Sequence, residues 1–154
     1  MTRAALTVCA VLAAAGCGTA WDLHFNRGVA HQDAGRYADA IEAYRDSSMA
    51  NPASFEPRFN LALVYEATGR QDRARAVYEE ILQMWPDHIP SMLNLASLKM
   101  AGGERDAALA LIERALTADR GETPEPYLLR ARYSEELGQR DLAGDFYREA
   151  YEVA

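Results

Sequence analysis

Few residues in this chain are equipped for chemistry, and their spacing says which kind. The histidines are His24, His31 and His88, and the cysteines are Cys9 and Cys17. His24 and His31 are seven residues apart, so one helix face can carry both. No carboxylate or cysteine completes a metal-binding set beside them by spacing, and each reads as a packing position filled by histidine. His88 follows Trp85-Pro86-Asp87 and is expected in a solvated connection. No glycine-rich phosphate loop, Gly-x-Ser-x-Gly elbow or His-Glu-x-x-His helix is present. Catalysis, cofactor binding and metal binding are therefore not expected, and no catalytic residue is nominated. Both cysteines lie in the first seventeen residues, which leaves the rest of the chain without a disulfide or a cysteine-based zinc site.

The elements that would position any site repeat at a fixed interval. Gly35, Gly69 and Gly103 are 34 residues apart, and Gly138 follows after 35. Ala40, Ala74, Ala108 and Ala143 keep the same steps, as do Tyr44, Tyr78 and Tyr147 where tyrosine is used. Pro52 and Pro86 are also 34 apart. A period of this size means stacked supersecondary units. The apolar spacing predicts helices over Leu23–Ala34, Tyr37–Ala50, Glu56–Thr68, Gln71–Met84, Pro90–Ala101, Glu104–Ala118, Glu125–Leu137 and Arg140–Val153. Pro57 falls in a first helical turn, where its missing N–H is not needed. Sustained alternation of apolar and polar residues, the mark of a strand, is absent. Arg120 to Pro124 is expected to be a looser connection holding the one inserted residue.

These anchors resemble the tetratricopeptide repeat (TPR) family. In the unit 55–88 the matching residues are Leu61, Ala62, Tyr65, Gly69, Ala74, Tyr78 and Pro86. The units 21–54, 89–122 and 124–154 match at fewer places, with His24 and His31 at usually aromatic or apolar sites of the first, and Lys99 and Arg120 at the aromatic and proline sites of the third. The resemblance implies an all-α superhelical solenoid of about four helix-turn-helix repeats over residues 21–154, working as a binding scaffold.

It also implies which residues meet a ligand. In the family the first helix of each pair lines a concave groove. The corresponding residues here are Phe25, Asn26 and Val29, then Phe59, Asn60 and Leu63, then Leu93, Asn94 and Ser97, and finally Leu128, Leu129 and Arg132. Three of the four asparagines, Asn26, Asn60 and Asn94, would stand one above another. An amide both donates and accepts, so such a ladder suits the backbone of an extended peptide. Asparagine is also common at this place in the family. Only Asn60 matches the clamp by which some members hold a carboxyl terminus. Around these places Asp22, Asp33, Glu56, Glu66, Glu125, Glu135 and Glu136 outweigh Arg132, which favours a neutral or basic segment.

The 154 residues carry a net charge of −7, from 16 basic and 23 acidic side chains. That balance opposes nucleic-acid binding, which needs a basic face. The amino terminus has the layout of an export signal: Arg3, an apolar run Ala4 to Ala15, then small residues. The run is too short to span a bilayer. Ala14-Ala15-Gly16-Cys17 resembles the processing site of bacterial lipoproteins, with Ala14 where leucine is usual. That resemblance implies a signal peptide over 1–16, an acylated Cys17 and a short tether over 17–20. An ordinary secretory signal with Cys17 incidental fits the same layout.

The expected protein is an exported, lipid-anchored adaptor of a bacterial cell envelope, or a periplasmic or secreted one, binding a protein segment and assisting a pilus, secretion or outer-membrane assembly. The alternative is a scaffold that forms a homo-oligomer through an open edge at Leu142, Phe146 and Tyr151.

Overall fold

The computed structural model describes residues 20–154. Cys9, Cys17 and the expected signal and tether fall outside the described residues, apart from the backbone of Ala20. The described part holds eight α-helices: α1 (Ala20–Asp33), α2 (Tyr37–Ala50), α3 (Glu56–Ala67), α4 (Gln71–Met84), α5 (Ile89–Ala101), α6 (Arg105–Asp119), α7 (Glu125–Glu136) and α8 (Arg140–Glu152). They form four helix-turn-helix pairs, and no strand occurs among the described residues. The described residues fall into two compact units, the first ending at Pro57 and the second running Arg58–Ala154.

Each hairpin turns in the same way. In the second, the Gly69 N–H donates to the Glu66 carbonyl at 2.9 Å and the Arg70 N–H to the Tyr65 carbonyl at 2.8 Å. These two bonds close the end of α3 in a Schellman motif, which requires a left-handed residue. Gly69 supplies it, at φ 71°. The pair of bonds recurs at Gly35 and Arg36, Gly103 and Glu104, and Gly138 and Gln139. The 34-residue ruler in the sequence is thus a ruler of helix ends.

In the first unit α1 and α2 cross where Gly28 meets Tyr44. A Cβ placed on Gly28 would lie 2.5 Å from the Tyr44 ring, so the glycine is demanded by the close approach. The Ser47 hydroxyl ties the hairpin further by donating to the Trp21 carbonyl at 2.8 Å.

In the second unit the crossings use alanine. Ala62, Ala74, Ala96, Ala108 and Ala131 are all fully buried. Their small side chains let the helices approach, and Tyr78, Ile81, Met92 and Ile112 fill the space between. Successive hairpins of this unit pack on one another, α4 against α5 and α6 against α7. Two ion pairs span the first of these junctions, Lys99 with Glu79 at 3.5 Å and Arg75 with Glu104, and within the third hairpin Lys99 also meets Glu104 at 3.1 Å.

The connection after α6 is not loose. Arg120 adopts a left-handed conformation at φ 56° and ends the helix, while the buried Asp119 carboxylate organises the turn that leads to Pro124. It accepts the Glu122 and Thr123 N–H groups, each at 2.9 Å, and the Thr123 hydroxyl at 2.6 Å. Burial opposes charge on Asp119. The Thr123 hydroxyl and the N–H groups of Thr123, Glu122 and Gly121 outweigh it and hold the carboxyl below the usual aspartate range. The inserted residue is absorbed by a hydrogen-bonded turn.

Candidate functional site

The nominated ligand-facing residues occupy equivalent places on the first helix of each hairpin. On α3, Phe59 and Asn60 are half-buried, and so is Leu63 one turn on. On α5, Leu93, Asn94 and Ser97 are half-buried too. On α7 the three differ: Leu128 is 41% exposed, Leu129 is buried and Arg132 is exposed. In the first unit, α1 carries Phe25 and Val29 half-buried and Asn26 exposed. This spacing follows from helix geometry, because residues four apart share a face.

Phe59 is held on two sides. Its ring lies 5.9 Å from Tyr78 and 5.2 Å, edge-on, from His88. His88 is half-buried rather than free in solvent. Its Nδ1 accepts the Ser91 N–H at 3.3 Å, which caps α5. Sequence spacing missed this role. The signal lay in Ser91 three residues on, with Pro90 in the first helical turn.

Asn94 is partly committed inside the protein. Its Nδ2 donates to the Tyr78 hydroxyl at 3.0 Å, and that hydroxyl in turn donates to Glu66. Burial, then the Glu66 carboxylate, pushes the Tyr78 hydroxyl far above the usual tyrosine range, so it stays a neutral link between hairpins. One amide hydrogen of Asn94 is used in stacking, which leaves its carbonyl oxygen and the second hydrogen for a ligand.

The remaining conspicuous residues lie against structural neighbours, although the buried Nδ1 of His24 makes no hydrogen bond. The Arg58 guanidinium lies 5.8 Å from the Trp85 ring and pairs with Glu80 at 2.9 Å, so Trp85 serves packing within the second hairpin. His24 Nδ1 stands 3.7 Å from Asp46 at the register place of that same pair. The His31 Nδ1 accepts from Arg36 at 3.1 Å. Among the described residues, no group of three or more His, Cys, Asp or Glu side chains stands close enough to hold a metal ion. Phe146, expected at an open edge, is instead half-covered, with the Arg130 guanidinium 4.8 Å from its ring, whereas Leu142 and Tyr151 are exposed.

This geometry has known counterparts. Family models described as Tetratricopeptide repeat match residues 3–54 and 25–89, and a second such model matches residues 69–133. A comparison with curated protein sequences gives no match. Among solved structures, the chain is similar to a crystal structure of MamA with a TM-score of 0.75 and 19% identity, over 88% of this chain and 78% of that one. It is similar to TTC0263, a thermophilic TPR protein of Thermus thermophilus, at 0.72 and 19%, covering 87% and 74%. The PilF protein of Pseudomonas aeruginosa aligns at 0.69 and 20%, covering 83% of this chain and 58% of that one. At such identities the likeness is one of fold. Four hairpins with glycine-ended first helices and small-residue crossings, matched over most of their length by the repeat models, place this chain in the tetratricopeptide repeat family.

Proposed function

We propose that this protein is a non-catalytic adaptor that holds an extended protein segment against the first helices of its hairpins. The observation that carries this is the set of half-buried apolar side chains beside amides on α3 and α5: Phe59, Leu63 and Leu93 with Asn60 and Asn94. Half-buried apolar groups offer contact area, and amides offer bonds to a peptide backbone without reading its side chains. A neutral or basic segment is favoured because Glu66, Glu135 and Glu136 outnumber Arg132 around these places.

We place the adaptor at a bacterial envelope membrane, held by lipid on Cys17, where it assists assembly of a pilus, secretion or outer-membrane complex. The sequence layout before Cys17 supports this, and the net charge without residues 1–16 is −8, which makes lipid rather than a basic patch the anchor. The mass of the mature amino terminus tests it, since an unmodified Cys17 would overturn the anchor.

The groove is tested by photocrosslinking in cells from position 60 and, in parallel, from Ala76, an exposed residue on α4. Adducts from position 60 that are absent from 76 and weaken in Leu63→Glu are expected. Equal adducts from both positions, or none from either, would overturn the groove.

A further inference from the structure

Within the second unit one amide of the peptide site is fixed from behind and its counterpart is not. The Asn94 Nδ2 donates to the Tyr78 hydroxyl at 3.0 Å, and that hydroxyl donates to Glu66. A carboxylate only accepts, so the tyrosine proton goes to Glu66 and the tyrosine oxygen is left as an acceptor. Asn94 must then turn its nitrogen toward Tyr78 rather than its carbonyl oxygen. Tyr78 is wholly buried, which leaves water no access to the hydroxyl. Asn60, at the same register place on α3, makes no side-chain hydrogen bond among the described residues. On α7 that place holds the buried Leu129. In the third hairpin Ile112 and Met100 stand where the second has Tyr78 and Glu66, so the chain of bonds is not repeated there.

We infer that Tyr78 and Glu66 are positioning residues for the proposed peptide site, on which this rests: they fix the Asn94 amide and thereby the direction of the bound segment, its carboxyl-terminal end over α3 and its amino-terminal end over α7. In an extended chain the N–H and C=O of one residue point to the same side, with the N–H nearer the amino end. An amide that pairs with both offers its oxygen to the N–H and its remaining nitrogen hydrogen to the C=O. Tyr78 turns the Asn94 nitrogen toward the second hairpin, and Oδ1, across Cγ, faces away from it. The segment's C=O therefore lies on the side of the second hairpin. Its N–H lies on the side of α7, which packs beside α5. An amide free to flip would pair equally well with a segment running either way.

The probe is the acetylated, amidated peptide Lys-Ala-Ala-Ala-Ala-Ala-Lys with a nitroxide at its amino or its carboxyl end. Its sequence reads the same both ways, so only the backbone can set a direction. Broadening of backbone amide signals is read by NMR on the isotope-labelled full chain. The amino-end label is expected to broaden Leu128 and Arg132 more than Asn60 and Leu63, and the carboxyl-end label the reverse. The preference should be about tenfold, the size of one hydrogen bond. Tyr78→Phe should remove the preference while the peptide still binds within about threefold of its former affinity. Asn94→Ala, which leaves the bond from Tyr78 to Glu66 in place, should remove it too. A purely structural role for Tyr78 would weaken binding and leave the direction unchanged. Bound peptide with the opposite direction or none, or a direction that survives both substitutions, would overturn the inference and leave the adaptor standing. No broadening by either label would overturn the adaptor and the inference with it.

Discussion

Tyr65, Glu66 and Tyr78 in the second hairpin hold the same places as Lys99, Met100 and Ile112 in the third. In the second, an aromatic ring and a hydroxyl bonded to a carboxylate fill the space between α3 and α4. In the third, two apolar side chains fill it, and Lys99, only 14% exposed, lies between Glu79 and Glu104. The backbone turns match, with the same two capping bonds at 2.8 to 2.9 Å. The difference teaches that the repeat fixes crossings and turns, while the filling between them is free to be polar or apolar if every buried group finds a partner. Lys99 is tolerated at an aromatic place because the neighbouring hairpin supplies Glu79.

The comparison is sharpened first at the crossings, which both hairpins share. Ala74→Trp and Ala108→Trp should each destabilise by about 3 kcal/mol through overpacking, lowering Tm by roughly 10 °C in thermal unfolding followed by circular dichroism. A loss in one hairpin alone would break the equivalence. Next comes Tyr78→Phe, which strips Glu66 and Asn94 of their common partner and should cost about 1.5 kcal/mol by urea unfolding.

Acid should act mainly on the third hairpin. The Glu104 carboxyl is held below its usual range by hydrogen bonds from Lys99 and then Arg75, and Asp119 is also held down. A carboxyl depressed in the folded state adds stability above its unfolded value and loses it as pH falls through the folded value. Tm should therefore drop as pH falls below about 4, and Asp119→Asn should flatten that fall. The smallest effect is expected from Lys99→Met. It removes two ion pairs yet buries an apolar chain of similar volume, for a net change of about 0.5 kcal/mol or less in the same urea assay. A large loss there would show that the third hairpin depends on its charges.

Much of this was legible from residue spacing. Tyr37–Ala50 and Gln71–Met84 have the ends read from the sequence, and the other predicted ends differ by three residues or fewer, most at α1. The alanines of the crossings follow from the period alone. What was not legible depends on neighbours remote in sequence. Lys99 finds Glu79 twenty residues back across a hairpin junction, and Asn94 finds Tyr78 the same way. Asp119 was hidden because the inserted residue shifts the register just where its carboxylate gathers three hydrogen bonds. At the candidate site, the family resemblance nominated Phe59, Leu63 and Leu93, but neither it nor the spacing gave a hint that His88 would brace Phe59 or that Leu129 would be buried.

At the tip of the second hairpin, Gly69 is left-handed and nothing lies within 4 Å of where a Cβ would be. Handedness, not crowding, is therefore what favours glycine over L-residues there. A chemically synthesised chain with D-alanine at position 69 would accept the tip as it stands and restrict the unfolded chain as well. It should melt about 2 °C higher, whereas L-alanine at the same atom count should melt lower.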